Sequence, residues 1–236
     1  MNSRQNLADN IEKMTIDVDA PFRFHCTMCG KCCINRDDIL LNPDDLFRIA
    51  KFLDLTPEEV VNQYCETYIG GTSRMPIVRL KPQGSVMRCP FLKDRKCSIQ
   101  DAKPVVCAMF PIGRYVRVPK DQVMEESIPE TLYLFSDPGC GDTSESHTVR
   151  EWLASYGIPL QDPFCSRWQQ VLLTVGGYIQ KIEKNSSPFI MEKIWSLVFQ
   201  ILYLEYDREA DFMPQFMENS ELILNQMKTL SSYVKE

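Results

Sequence analysis

Four cysteines lie within eight residues near the start of the chain, in the run Cys26-x-x-Cys29-x-x-Cys32-Cys33. Two-residue spacing lets one backbone turn direct two sulfurs at a single metal, and repeating it adds a third sulfur, as in bacterial ferredoxin loops. Gly30 permits the tight turn. Cysteines this close together rarely serve packing alone, so the run predicts a metal site held by thiolates. Adjacent side chains point to opposite sides of an extended chain, so we expect Cys32 and Cys33 to serve different sites, or one to remain a free thiolate.

A second set of cysteines follows at wider spacing. Cys89 precedes Pro90, as cysteines do at the close of ferredoxin-type motifs, and Cys97, Cys107 and Cys140 come later. The two sets are enough for two four-sulfur sites, or for one site with spare reactive thiols. The predicted metal ligands are Cys26, Cys29, Cys32, Cys33, Cys89, Cys97, Cys107 and Cys140.

The chain start, MNSRQNLADNIEK, contains no apolar stretch of the signal-peptide kind, and the longest apolar run is broken by Gln200. We therefore expect a cytoplasmic protein without a membrane span. Clustered cysteines in that compartment are more often metal ligands than disulfides. With only two histidines, any metal must be bound mainly by sulfur. We expect Cys65 and Cys165 to be core thiols, His25 to lie beside the site or at the surface, and His147 to lie at the surface.

Charge is spread unevenly along the chain. Residues 21–120 carry a net charge of +6, so the remainder carries −12 within a total of −6. Four thiolates around a divalent zinc ion or a doubly charged four-iron cluster leave a net charge of about −2 per site, which nearby cations offset. The basic residues are scattered and form no stripe with aromatic residues, so we interpret them as charge compensation and expect no nucleic-acid partner.

Composition shifts along the chain predict an α+β fold that is mostly helical. Residues 1–20 form a polar arm, residues 21–142 form an irregular cysteine-rich metal-binding domain with short strands, and residues 143–236 form an α-helical region. Short strands are predicted at 75–82 and 113–118.

Helix starts are marked by capping residues. Asn42 followed by Pro43 predicts one helix, and Thr56 opens another that runs to about Ile69. In the C-terminal region, predicted helices begin at Thr143, Asp162 and Ser187, and another covers about 218–234; the first ends near residue 156 and the third near residue 206.

Several catalytic signatures are missing from the sequence. It contains no G-x-G-x-x-G, no G-x-x-x-x-G-K-[ST] and no C-x-x-x-C-x-x-C. No nucleotide-binding loop and no radical S-adenosylmethionine motif is therefore evident, and two histidines allow no convincing catalytic pairing with serine or cysteine.

The combined motif C-x-x-C-x-x-C-C, C-P-F-L, C-x-I, P-x-x-C-x-x-F-P and a late cysteine resembles the YkgJ-like cysteine-cluster family over about residues 21–155. That family is described as zinc- or iron-chelating and includes the cysteine-rich part of flagellin lysine N-methylases. The resemblance implies the same eight ligands. Members often have tyrosine and two arginines where this chain has Gln100, Lys103 and Ala108, so the surroundings of the ligands are altered.

These observations favour an iron–sulfur protein, with a 4Fe-4S cluster, in a redox or enzyme-supporting role. One alternative is a structural zinc module whose helical region binds a client protein. Others are a protein lysine N-methylase-like enzyme, which would need S-adenosylmethionine, and a metal storage or delivery protein. The spacing alone leaves open the native metal, the partition of the sulfurs and the oligomeric state.

Overall fold

The computed structural model describes residues 10–117 and 130–234. The fold is α+β, as predicted, with short strands and irregular loops in the first part and helices in the last. Residues 1–9, 118–129 and 235–236 lie outside the described residues; they include parts of the predicted arm and of the predicted cysteine-rich region. No helix within the described ranges is long and apolar enough to cross a bilayer.

Within the described residues, ten short strands form four small antiparallel sheets, in the orders β1-β9-β8, β10-β2, β3-β5-β4 and β6-β7. The strands are β1 (Thr15–Ile16), β2 (Pro21–His25), β3 (Leu40–Leu41), β4 (Cys65–Ile69), β5 (Pro76–Leu80), β6 (Leu92–Lys93), β7 (Lys96–Cys97), β8 (Ile112–Arg117), β9 (Glu130–Phe135) and β10 (Asp142–Thr148). β5 and β8 correspond to the two predicted strands.

The helices begin where capping residues predict them in four cases. Asn42 and Thr56 each form a capping box, and Asp162 and Ser187 cap helices that carry proline at the first position. The helices are α1 (Pro43–Leu53), α2 (Pro57–Tyr64), α3 (Val105–Met109), α4 (Val149–Ala154), α5 (Pro163–Glu183), α6 (Pro188–Phe199) and α7 (Phe212–Ser232), with a π-helical turn at Gln200–Leu204 after α6.

Two predicted helix boundaries are wrong for the same reason, which is strand pairing at a distance. The helix from Thr56 ends at Tyr64, because the next five residues pair with β5 as β4. The helix predicted from Thr143 begins only after Thr148, which forms its own capping box, because the preceding residues pair with β2 as β10. A third correction concerns the last helix, which begins at Phe212 rather than near residue 218.

Buried side chains form two clusters. The main core combines residues between Ile39 and Ile99 with residues between Phe164 and Met227, so the cysteine-rich and helical regions bury one apolar interior together. Our boundary at residue 142 stays a prediction, and the shared interior runs across it. The small core contains Phe22, Phe24, Met109, Ile112, Tyr133, Val149, Trp152 and Leu153.

Candidate metal centre

The first cysteine run follows directly from β2 and turns back on itself. Gly30 has a left-handed backbone (φ 75°) and leads into a 3₁₀ turn that spans Lys31 to Cys33. Within this turn the Cys32 and Cys33 Sγ atoms lie 3.8 Å apart. Our premise of an extended chain, with these two side chains on opposite sides, is therefore wrong at this position.

One group of thiols, which we call the outer group, is assembled by the pairing of β10 with β2. Asp142 pairs with His25 at the end of β2, and this register places Cys140 beside the first cysteine run. The pKa of Cys140 is raised by burial and by the nearby thiols of the run. The outer group consists of Cys26, Cys29, Cys32 and Cys140.

Hydrogen bonds to the Cys29 sulfur change its acidity. The amide of Lys31 donates to its sulfur, and the Gly141 amide and the Thr27 hydroxyl also donate, so the pKa of the Cys29 thiol is lowered. Gly141 has φ 70°, and a Cβ at this position would lie 2.4 Å from the His25 carbonyl oxygen. The backbone of the Cys140 loop can therefore approach β2 closely only because glycine stands there.

The second group, which we call the inner group, lies against the main core. The Cys89 amide donates to the Cys33 carbonyl oxygen at 2.8 Å, which ties the second cysteine set to the first. Burial raises the pKa of Cys107 to about 12, with repulsion from the Cys89 and Cys97 thiols adding to the rise. The inner group consists of Cys33, Cys89, Cys97 and Cys107.

Backbone amides also point at inner-group sulfurs. Burial raises the pKa of Cys89 and of Cys97, while amide donors oppose the rise: Phe91 and Leu92 for Cys89, and Ile99 for Cys97. Amides aimed at sulfur stabilise thiolate, the form that binds metals. Such donors are typical of the surroundings of a metal–thiolate site.

Two cations face the junction between the groups. The contact with the Cys33 thiol lowers the pKa of Cys32 to about 6, and Arg36 and Lys103 act in the same direction. The same contact raises the pKa of Cys33. Lys103, which stands where the resembled family often has arginine, also opposes the rise in the pKa of Cys97 and lies 4.4 Å from the ring centre of Tyr156. Arg36 also pairs with Asp38. The role of the basic residues in charge compensation stays a prediction.

A buried carboxylate positions the segment that carries Cys107. Asp45 is 1% exposed, and its Oδ1 accepts from Arg48 Nη2 at 2.6 Å and from the Val105 amide at 2.7 Å. Arg48 Nη1 donates to the Lys103 carbonyl oxygen at 3.2 Å. Burial raises the pKa of Asp45 to about 6, opposed by Arg48 and the Val105 amide. Sequence reasoning missed this clamp, because Asp45 reads as part of a helix cap and its partner lies 60 residues away.

Two cysteines and both histidines lie outside the predicted ligand set. Cys65 is buried in the main core as predicted, and burial raises its pKa to about 12. Cys165 is half-buried, and Arg114 lies near its sulfur. His25 Nδ1 pairs with Asp142 at 3.3 Å. His147 is not a plain surface residue, because it packs on the Trp152 ring at 5.0 Å and contacts the Phe24 carbonyl oxygen at 3.0 Å.

The donor chemistry of both groups fits zinc or iron. Among the described residues, however, no three His, Cys, Asp or Glu side chains already converge on one point that could hold a metal. Binding a common ion would require the thiols of a group to converge further than they do in this structure.

The cysteine-rich region matches a known protein family. Residues 25–128 match the model of the CxxCxxCC family, described as a "putative zinc- or iron-chelating domain". The chain is similar to that family over this segment. Seven of the eight predicted ligands lie inside the CxxCxxCC segment, and Cys140 lies beyond it. Metal binding is the function that this match supports.

A relative comes from an archaeon. The chain is 33% identical over 96 residues to the uncharacterized protein MJ0661 of Methanocaldococcus jannaschii, which covers 40% of this chain and 47% of the relative. The chain thus spans about half the length of the relative it matches. No solved structure matches the chain. The resemblance to flagellin lysine N-methylases stays a prediction, since the family match concerns metal chelation alone.

Proposed function

We propose that the chain is an iron–sulfur protein in which the inner and outer groups each hold one metal centre through four thiolates. The observations that carry this partition are two backbone contacts: β10 pairs with β2 beside the first cysteine run, and the Cys89 amide donates to the Cys33 carbonyl oxygen at 2.8 Å. In agreement with them, the pKa of Cys140 responds to Cys26, Cys29 and Cys32, and that of Cys107 responds to Cys89 and Cys97. Cys32 also contributes to the raised pKa of Cys89 and of Cys97, so it lies where the two groups meet. The proposed partition assigns four of the eight predicted ligands to each group.

Three features favour iron–sulfur chemistry with a redox or enzyme-supporting role. The C-x-x-C-x-x-C run and the Cys89-Pro90 pair have ferredoxin-like spacing. Amide donors point at sulfurs in both groups, and such hydrogen bonds tune cluster potentials. Arg36 and Lys103 offset the negative charge that four thiolates leave on a bound 4Fe-4S cluster.

One observation favours structural zinc instead. Two sulfurs of a tetrahedral zinc site with bonds of about 2.3 Å lie about 3.8 Å apart. Cys32 and Cys33 have that separation without rearrangement, so both could ligate one zinc ion. In this alternative the cysteine region is a closed scaffold, and the helical region is the surface that binds a client protein.

The deciding experiment is purification of the full chain without oxygen, followed by a visible spectrum and by iron, zinc and acid-labile sulfide assays on one sample. We expect a brown protein with matching iron and sulfide that dithionite bleaches. A colourless protein with stoichiometric zinc after anaerobic purification would overturn the iron–sulfur proposal. Zinc found after aerobic purification would not, because lost clusters leave good zinc ligands.

A further inference from the structure

The two groups differ in what surrounds them. Cys89, Cys97 and Cys107 pack against the main core, which the long C-terminal helices complete. In the outer group Cys26 is exposed to solvent, and Cys140 packs against the small core. The inner group therefore lies against the main core with all its thiols half-buried, whereas the outer group includes an exposed thiol.

A cavity of about 490 Å³ opens onto the outer group. Two of its thiols, Cys29 and Cys140, form part of the cavity wall, and Phe24 and Phe135 contribute aromatic surface. The volume lies within the range of small-molecule sites, which is about 300–1,000 Å³. No inner-group thiol lines this cavity within the part of the chain that the structure describes.

The charged side chains that line the cavity differ in whether they have ion-pair or hydrogen-bond partners within the protein. Asp142 pairs with His25 and accepts from Ser144, and Asp137 accepts from the Gly139 amide. Arg23 and Lys31 also line the cavity, and neither side chain forms an ion pair or hydrogen bond with any residue in the described ranges. The carboxylates thus have partners inside the protein, and the two cations remain available to an incoming anion.

We propose that the outer group is a metal-exchange site, reached through this cavity by anionic chelating ligands, and that the inner group retains its metal. The inference rests on the partition proposed above and assigns separate roles to its two sites. Carboxylate- or thiolate-bearing small molecules are the ligand class, because they bind both zinc and iron and are attracted by Arg23 and Lys31.

The exchange is ligand substitution without redox change. With a metal bound in the outer group, a donor oxygen or sulfur of the incoming ligand would form a bond to it as a cysteine thiolate leaves, and the released thiolate would take up a proton from water. Replacing all four thiolates in this way would release the bound metal, whether a single ion or a cluster, to the ligand. Cys26 is the exposed thiol of the outer group and would leave first.

The test uses the full chain loaded to saturation with zinc alone as the probe. Zinc release is followed at one pH with excess EDTA, which is anionic, and with 1,10-phenanthroline, which is neutral, by metal analysis of desalted samples. We expect two ions per chain that leave in two phases of equal amplitude. Cys140→Ser should remove the fast phase and Cys107→Ser the slow one.

The charge variant Arg23→Gln/Lys31→Gln tests the route. With EDTA its fast phase should slow on the order of tenfold, as expected for lost electrostatic attraction, while phenanthroline release stays unchanged. Lys184→Gln/Lys228→Gln removes the same charge from exposed positions in the helical region and should slow neither.

The outcomes separate the two proposals. Two ions that leave in a single phase, or an unchanged EDTA rate in Arg23→Gln/Lys31→Gln, would overturn the exchange site and leave the partition standing. Uptake of fewer than two ions by the unmodified chain, or full zinc content in both cysteine variants, would overturn the partition itself.

Discussion

Replacing Asp45 by alanine tests whether the buried clamp positions the inner group. The change leaves the Val105 amide, now bonded at 2.7 Å, without its acceptor inside the protein. An unsatisfied buried amide costs about 1–3 kcal/mol. Loss of the reciprocal half of the capping box at Asn42 costs about 1 kcal/mol more. Arg48 keeps a partner, because Asp44 accepts from it at 2.8 Å.

We therefore expect Asp45→Ala to lower the free energy of unfolding by about 3 kcal/mol at about pH 8, where the carboxyl is ionised. Urea unfolding of metal-loaded protein measures this change. Val105 lies two residues before Cys107, so metal affinity of the inner group should also fall on the order of tenfold, measured by competition with a chelator.

Asp44→Ala is the matched control for this prediction. Asp44 is adjacent on the same helix and pairs with the same arginine, but its side chain is 30% exposed and the Val105 amide donates to Asp45 instead. A partly exposed ion pair of this kind contributes about 0–1 kcal/mol to the free energy of unfolding. Equal losses of stability in the two variants would refute the clamp, as would unchanged metal affinity in Asp45→Ala.

Three further predictions concern the metal and its surroundings. Cys107→Ser should lose about half of the bound metal, whereas Cys65→Ser should keep all of it, and metal analysis that finds no difference would contradict the ligand assignment. Gly141→Ala should lower the metal affinity of the outer group, because the added Cβ would meet the His25 carbonyl oxygen. The control Gly139→Ala, at φ 61° with open space around it, should lower the stability of the protein by only about 1 kcal/mol. Equal chelator competition curves for the two variants would count against the importance of this contact. Metal removal should destabilise both regions together, because they share the main core; separate melting transitions by circular dichroism would disprove this coupling.

Local chemistry made part of this fold predictable. Asn42, Thr56, Asp162 and Ser187 begin helices because each cap and its first turn are only a few residues apart. The cysteine spacings likewise identified the CxxCxxCC segment, since chelation by neighbouring thiolates is a local property.

Long-range pairing explains what could not be predicted. Residues Cys65–Ile69 continue the apolar pattern of α2, and only their alignment with β5 makes them a strand. The grouping of Cys140 with the first run depends on β10 meeting β2, and the Asp45 contact depends on where the chain returns. Residue spacing along the sequence does not predict these long-range contacts.

The pairing of β10 with β2 also determines which thiol group can be completed first during translation. A ribosome releases the amino end first, so all four inner-group thiols emerge before Cys140 and β10. Until then the outer group has only Cys26, Cys29 and Cys32. The nascent chain can therefore gather the inner thiols first, although the helices that complete the main core around them are synthesised last.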